Sequence, residues 1–283
     1  MNALVIKDLC KEYKGFKLDH LNLTLPSGCI MGLVGENGAG KSTTIKLILN
    51  MIKKDKGHIE IFGKDNSIKI EDLKQDIGVV LDEVGIPECL KACEINMIMK
   101  YAFNNWDENK FYELLSTLNV PFEKEFKEFS RGMKMKTGIA IALAHNPKLL
   151  ILDEATSGLD PIARDEVVNI LNDFTRDDNH SILISSHIVS DLEKLCDYIA
   201  FIHKGKLMLC EEKDVLLSSY GVIHCDESQF SKIGKEAVLS SMKTMYGIEA
   251  VVLRNAIGNM NISPISVEDL FLYMAKENDW WKV

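Results

Sequence analysis

Eight consecutive residues carry the clearest chemistry. Gly35, Glu36, Asn37, Gly38, Ala39, Gly40, Lys41 and Ser42 fit the pattern G-x-x-x-x-G-K-[ST]. Glycines let such a loop curl until its backbone N–H groups point inward at phosphate oxygens. A helix starting where the loop ends aims its positive dipole end at the same anion. Lys41 is then placed to reach the β- and γ-phosphates, while Ser42, with Thr43 beside it, offers a hydroxyl to Mg²⁺. A second candidate is the apolar run at 148–152, which ends in Asp153 and Glu154. Asp153 suits holding Mg²⁺, directly or through water, and Glu154 suits polarising an attacking water as general base. Together these residues predict a chain that binds ATP with Mg²⁺ and hydrolyses it.

Such groups need elements that deliver them. The apolar run 29–34 stops at Gly35 and reads as a buried strand entering the loop, and 42–52 reads as the helix that follows. Further strands are expected at 3–9, 18–25, 58–63, 77–81, 148–152 and 181–185, with a mostly helical stretch over 88–145. Strands separated by helices imply an α/β core with a largely parallel sheet, whose C-terminal edge is where ligands sit. After Gly205 the phosphate-site signals cease. Residues 207–283 mix short apolar runs with helical stretches such as 266–276, predicting a small α+β appendage.

Composition narrows the classes. With 46% hydrophobic and 27% charged residues among 283, the chain has material for a large core plus an appendage. A net charge of −9 disfavours nucleic acid as a partner, because that binding relies on clustered Lys and Arg. The seven cysteines show no spacing that completes a tetrahedral metal site and are expected as free thiols in a reducing compartment. No signal-peptide pattern opens the chain, and no window approaches 18 consecutive apolar residues. A path through a bilayer would have to come from another subunit.

The order of motifs resembles the nucleotide-binding subunits of ATP-binding-cassette transporters over residues 3 to about 205. Tyr13 lies upstream of the loop where that family stacks adenine on an aromatic ring. Phe129-Ser130-Arg131-Gly132-Met133 looks like the family signature, Ser157-Gly158-Leu159-Asp160 like the loop between two cassettes, and Ser185-Ser186-His187 like the switch histidine. The resemblance implies a cassette at 1–206 of the P-loop NTPase class. It would carry a RecA-like mixed sheet, an antiparallel β subdomain and a helical subdomain at about 84–145; an accessory domain would fill 207–283. It further implies a head-to-tail dimer with a second copy or a homologous cassette. ATP would lie between one phosphate loop and the other chain's Ser130, Arg131 and Gly132, with Asp160 nearby. His187 would contact the γ-phosphate or the attacking water.

Two departures stand out. Where the family usually carries a glutamine after the strand at 77–81, this chain has Asp82 and then Glu83; Asp82 can ligate Mg²⁺. Arg131 replaces the first glycine of the signature, either adding charge or, the favoured reading, pointing to solvent.

The stretch 130–136 and the segment 266–274 resemble bacterial exporters with separate motor and membrane chains. The expected role is an ATPase peripheral to the cytoplasmic face of the membrane. A transmembrane permease would dock near 82–105, where Val84, Ile86, Pro87, Leu90, Met97, Met99, Tyr101 and Phe103 supply apolar surface. A soluble cassette ATPase of translation or DNA repair is the alternative. The single cassette and the lack of a long coiled-coil insertion in 44–128 count against it. Glu154 and His187 count against a protein that binds ATP without hydrolysing it.

Overall fold

The computed structural model describes residues 1–67, 73–258 and 260–276. Its centre is a six-stranded sheet in the order β10-β9-β3-β8-β7-β6, from β3 (Ile30–Val34), β6 (Ile77–Val80), β7 (Leu149–Asp153), β8 (Ser181–Ser186), β9 (Tyr198–His203) and β10 (Lys206–Glu212). The five strands from β9 to β6 run parallel, and β10 pairs antiparallel on the outer edge. Every residue of β3, β7 and β8 is buried. Apolar runs in place of alternation mark a parallel sheet covered on both faces.

The two faces take alternate residues. Ile30, Val34, Leu150, Leu152, Ile182, Ile184 and Phe201 pack into one core, while Met31, Leu33, Leu149, Ile151, Leu183 and Ile202 pack into the other. The second core is closed by α1 (Lys41–Ile48) and an antiparallel sheet β2-β1-β4-β5, from β1 (Asn2–Tyr13), β2 (Phe16–Pro26), β4 (Lys56–Ile61) and β5 (Lys64–Asp65). The first is covered by a helical arm of α2 (Ala92–Ala102), α3 (Glu108–Thr117) and α4 (Arg131–Ala144), then by α5 (Pro161–Phe174) and α6 (Val189–Leu195). Phe111, Leu115, Phe126 and Ile139 anchor the arm, each at most 2% exposed.

The boundary expected at 206/207 falls within a strand. The segment 206–212 is strand β10, whose register with β9 from Lys206↔His203 to Glu212↔Tyr198 makes it part of the main sheet. Helix α7 (Lys213–Ser219) leads into a separate sheet β11-β13-β12, from β11 (Tyr220–Cys225), β12 (Val238–Thr244) and β13 (Gly247–Leu253), with α8 (Glu227–Phe230) between. One face of this sheet forms its own small core around Ile223, Ala250 and Val252. On the other side α9 (Val267–Lys276) returns to the body, with Phe271 at 5.4 Å from the Phe201 ring and Val267, Leu270 and Met274 in the main core. The appendage is thus fused to the body through shared apolar packing. Residues 277–283, which the expected accessory domain included, lie outside the described residues.

Candidate nucleotide site

The phosphate loop leaves β3 at its C-terminal end, as the motif requires. Gly35 is demanded by close approach: a Cβ there would sit 2.5 Å from the Ile202 carbonyl oxygen. Gly40 turns the chain into α1 with φ +116, a left-handed conformation that side chains resist. Ala39, its N–H bonded to the Glu36 carbonyl at 3.0 Å, packs into the core behind the loop. The loop borders an open cavity of about 570 Å³, and Glu36, Asn37, Gly38, Gly40, Lys41, Ser42 and Thr43 all line it. Asp82 and Glu154 close its far side, and Gly15 and Phe16 close the end nearest the β1–β2 turn.

Lys41 is 5% exposed and fully engaged. Its ammonium donates to the Gly35 carbonyl at 2.7 Å and the Glu36 carbonyl at 3.4 Å, and lies 3.3 Å from Glu154 Oε1. The other carboxylate oxygen, Oε2, lies 2.6 Å from His187 Nδ1 and accepts from the His187 backbone N–H at 3.4 Å. Glu154 reaches both partners because its backbone is left-handed (φ +55) directly after β7. Such a conformation in a non-glycine residue is uncommon and gathers at functional sites. The Glu154 N–H is anchored to Ser185, by the carbonyl at 3.1 Å and by Oγ at 3.2 Å. Lys41, Glu154 and His187 are therefore linked through one carboxylate, by an ion pair on one side and a hydrogen bond on the other, and Lys41 and Glu154 line the cavity.

Asp153 sits deeper. It is 3% exposed, accepts from Ser185 Oγ at 2.6 Å and does not line the cavity. Lys41 is the one cation among the described residues that line the cavity, against the carboxylates of Glu36, Asp82 and Glu154. A polyphosphate entering this wall needs added positive charge. The Ser42 hydroxyl and the Asp82 carboxylate are the hard oxygen donors that Mg²⁺ prefers, so the residues present fit that ion.

Three more of the expected residues have defined places. Tyr13 does not wall the cavity; its exposed ring lies beneath Lys11 Nζ at 5.2 Å, and its register partner Phe16 takes the place against Gly40. Asp160 is the N-cap of α5, accepting from the N–H groups of Ile162 and Ala163. The Ala163 N–H in particular holds its carboxyl below the usual range, and it does not reach the cavity. Arg131 does not point freely to solvent, because its guanidinium donates to Asp82 Oδ1 at 2.6 Å. Sequence reading missed Phe16 and Ser185. The Gly15-Phe16 step after Tyr13 was the available signal for the first, and the hydroxyl at the end of an apolar strand for the second.

Ser130 and Gly132 lie apart from the cavity. Ser130 caps α4, accepting from the Met133 N–H at 3.2 Å, and Gly132 follows in the first turn. The described residues also hold one further ligand-like group: Cys10, Asp19 and His20 bring donor atoms within 4.8 Å of one another. Asp19 is ion-paired with Lys17 at 2.6 Å and His20 is hydrogen-bonded to Asp8, so these groups already have partners.

A family model described as ABC transporter matches residues 18–157, a span holding the loop, Asp82, the signature segment and Glu154. The bacitracin transport ATP-binding protein BcrA of Bacillus licheniformis is 41% identical over 204 residues, covering 71% of this chain and 67% of the relative. The lantibiotic transport ATP-binding protein SrtF of Streptococcus pyogenes is 39% identical over 214 residues, covering 75% of this chain and 91% of the relative. Among solved structures, an ATP-binding subunit of an ABC transporter superposes with a TM-score of 0.68 at 28% identity, covering 75% of this chain and 90% of that one. A dimeric cassette in a post-hydrolysis state with ADP and Pi gives 0.67 at 20% identity, covering 74% and 98%, a likeness of fold.

Proposed function

The chain belongs to the ATP-binding-cassette transporter family as an ATP-hydrolysing subunit, and from that premise we propose that it is the motor of a bacterial exporter acting through a separate membrane-spanning permease. The observation that carries the reading is the linked Lys41–Glu154–His187 chain beside a glycine loop. In this arrangement Lys41 neutralises Glu154 while no phosphate is present. Terminal phosphates of ATP offer Lys41 a stronger partner, and Glu154, released on that side, takes a proton from the attacking water. His187 donates Nδ1–H to the same carboxylate and so orients it. Adenine is held at the β1–β2 turn, by Phe16 or the exposed ring of Tyr13. Ser42 and Asp82, with Asp153 behind, would hold Mg²⁺, which would supply charge neutralisation on the phosphates.

The segment Ser130–Gly132 completes the site of a second copy in a head-to-tail dimer. It is exposed at the start of a helix, where backbone N–H groups favour an anion. None of the described helices is long and apolar enough to cross a membrane, so the transport path is assigned to a partner chain at whose cytoplasmic side this subunit sits. For docking that partner, the expected apolar region divides. Val84, Ile86, Leu90 and Met99 pack against the chain's own core and Phe103 stacks on His145, while Met97, Ile98 and Tyr101 stand exposed on α2. The cargo we assign is of the bacitracin or lantibiotic kind, the two compounds that the names of the transport relatives carry.

Gel filtration of Glu154→Gln with Mg-ATP tests the dimer: a shift to twice the mass is expected, and a monomer with and without nucleotide would sink it. Expression together with a candidate permease tests the cargo. Resistance to bacitracin or a lantibiotic should rise, and fall again in Lys41→Ala; unchanged sensitivity to both would remove the assignment.

A further inference from the structure

Two of the residues that depart from the family pattern, Asp82 and Arg131, are bonded to each other. They are 49 positions apart, one just past β6 and the other in the first turn of α4, and Arg131 Nη2 lies 2.6 Å from Asp82 Oδ1. The arginine stem also lies against the loop between cassettes, since a Cβ on Gly158 would meet Arg131 Cδ at 3.2 Å. Asp82 stands at a partition. It lines the phosphate cavity, and it also lines a neighbouring polar cavity of about 560 Å³ with Arg131, Glu83, Glu88 and Lys134. Lys134 is itself engaged with Glu88 at 3.4 Å. One carboxylate therefore has a guanidinium as its partner and also lines the cavity where a divalent ion accompanying a nucleotide would sit.

The geometry points to an exchange. Asp82 is a positioning residue that holds the signature's Arg131 against its own chain while the phosphate cavity is empty. Mg-nucleotide arriving in that cavity takes Asp82 and frees Arg131 to face the nucleotide of a second copy. Filling a cassette's own site thereby readies the arm that covers its partner's site. This rests on the proposed ATP sandwich and assigns it a regulating contact. Both groups are more than half exposed, at 60% and 51% of their side-chain surface. Exposed pairs of this kind shift an equilibrium by about fivefold at most, which suits a contact that ligand binding must break.

The exchange makes a prediction of unusual sign. Arg131 is a positive charge near an incoming polyanion, so plain electrostatics has its removal weaken nucleotide binding. If Asp82 must first be released, removal strengthens it. The test is titration of a non-hydrolysable ATP analogue into the full chain, at a concentration where gel filtration gives a monomer. Arg131→Ala, with Arg131→Gln as a second variant should the first fold poorly, is expected to tighten the Mg-analogue dissociation constant about two- to fivefold. The same substitutions should have no such effect in EDTA, nor in an Asp82→Ala background. Weaker or unchanged Mg-dependent binding, or equal tightening with Asp82 absent, overturns the exchange. Failure of the underlying site looks different: the unsubstituted chain would then bind the analogue no better than Lys41→Ala.

Discussion

Around Lys41 the chain supplies its own counter-charges, and around Ser130 it leaves them to something else. Lys41 and Glu154 have side chains only 5% and 13% exposed, and each has its hydrogen-bonding partners within the same molecule. Ser130 is exposed, Gly132 opens the same helix, and Arg131 is held by a single carboxylate at the surface. The contrast teaches where each region's function comes from. A buried charged network works because low dielectric and fixed partners strengthen every interaction in it. An exposed helix start is weak by itself and gains value only when a second body excludes water from it.

That contrast breaks most easily at Lys41. Removing one partner from a buried hydrogen-bonded charge pair costs about 2–5 kcal/mol. Lys41→Ala should therefore lose ATP binding by roughly a hundredfold or more, and turnover with it; wild-type affinity by calorimetry would contradict the role given to the loop. Glu154→Gln comes next. It keeps the shape and both neighbours but removes the base, so kcat should fall by roughly 10²–10⁴-fold while ATP binding persists. Undiminished turnover would take Glu154 out of the reaction.

At the exposed region the expected effects are smaller. Ser130→Ala removes the α4 cap, costing about 1 kcal/mol, or a few degrees of melting temperature at most. Its larger signature should be on the dimer: in a Glu154→Gln chain it should weaken ATP-driven pairing more than it lowers stability. Ser130→Asp should restore the cap without restoring pairing, because a carboxylate repels phosphate. Recovery of both would mean that Ser130 acts through the helix alone.

Much of the inner region was legible in the residues. A run of apolar residues ending at Gly35 is enough to place a buried strand, and the loop's glycines are dictated by backbone conformation that only a few residue types tolerate. The apolar run to Asp153 likewise announced its strand. What could not be read were contacts between residues far apart in sequence. Residues 207–212 read as the start of an appendage because they are mixed in character, and only pairing with β9 makes them part of the main sheet. Asp160 is a strong helix cap from its local pattern, with Pro161 at the first helical position, yet the family resemblance drew attention to the nucleotide instead. The pairing of Asp82 with Arg131 depends on how the helical arm seats against β6, which no local pattern encodes.

That seating offers the smallest and most specific test. His145 ends α4 at 1% exposure, its Nε2 at 3.2 Å from the carbonyl of Ile77 in β6 and its ring stacked on Phe103 at 4.0 Å. It joins the arm that carries Arg131 to the strand that leads to Asp82. Burial pushes its pKa below the ordinary 6.5, and the backbone contacts to Ile77 and Ile141 oppose that only in part. The neutral ring is thus the form the fold accepts. Above about pH 6.5 both folded and unfolded chains hold it neutral, and it adds no pH dependence. As pH falls below that value the unfolded chain binds the proton first, so stability is lost progressively down through the folded-state pKa. Replacing His145 with Gln should lower stability at pH 7.5, because packing and the Ile77 contact are disturbed. It should also flatten the decline between pH 7 and pH 5 relative to the unsubstituted chain. Parallel pH profiles for the two proteins by chemical denaturation would show that His145 is not the group that titrates.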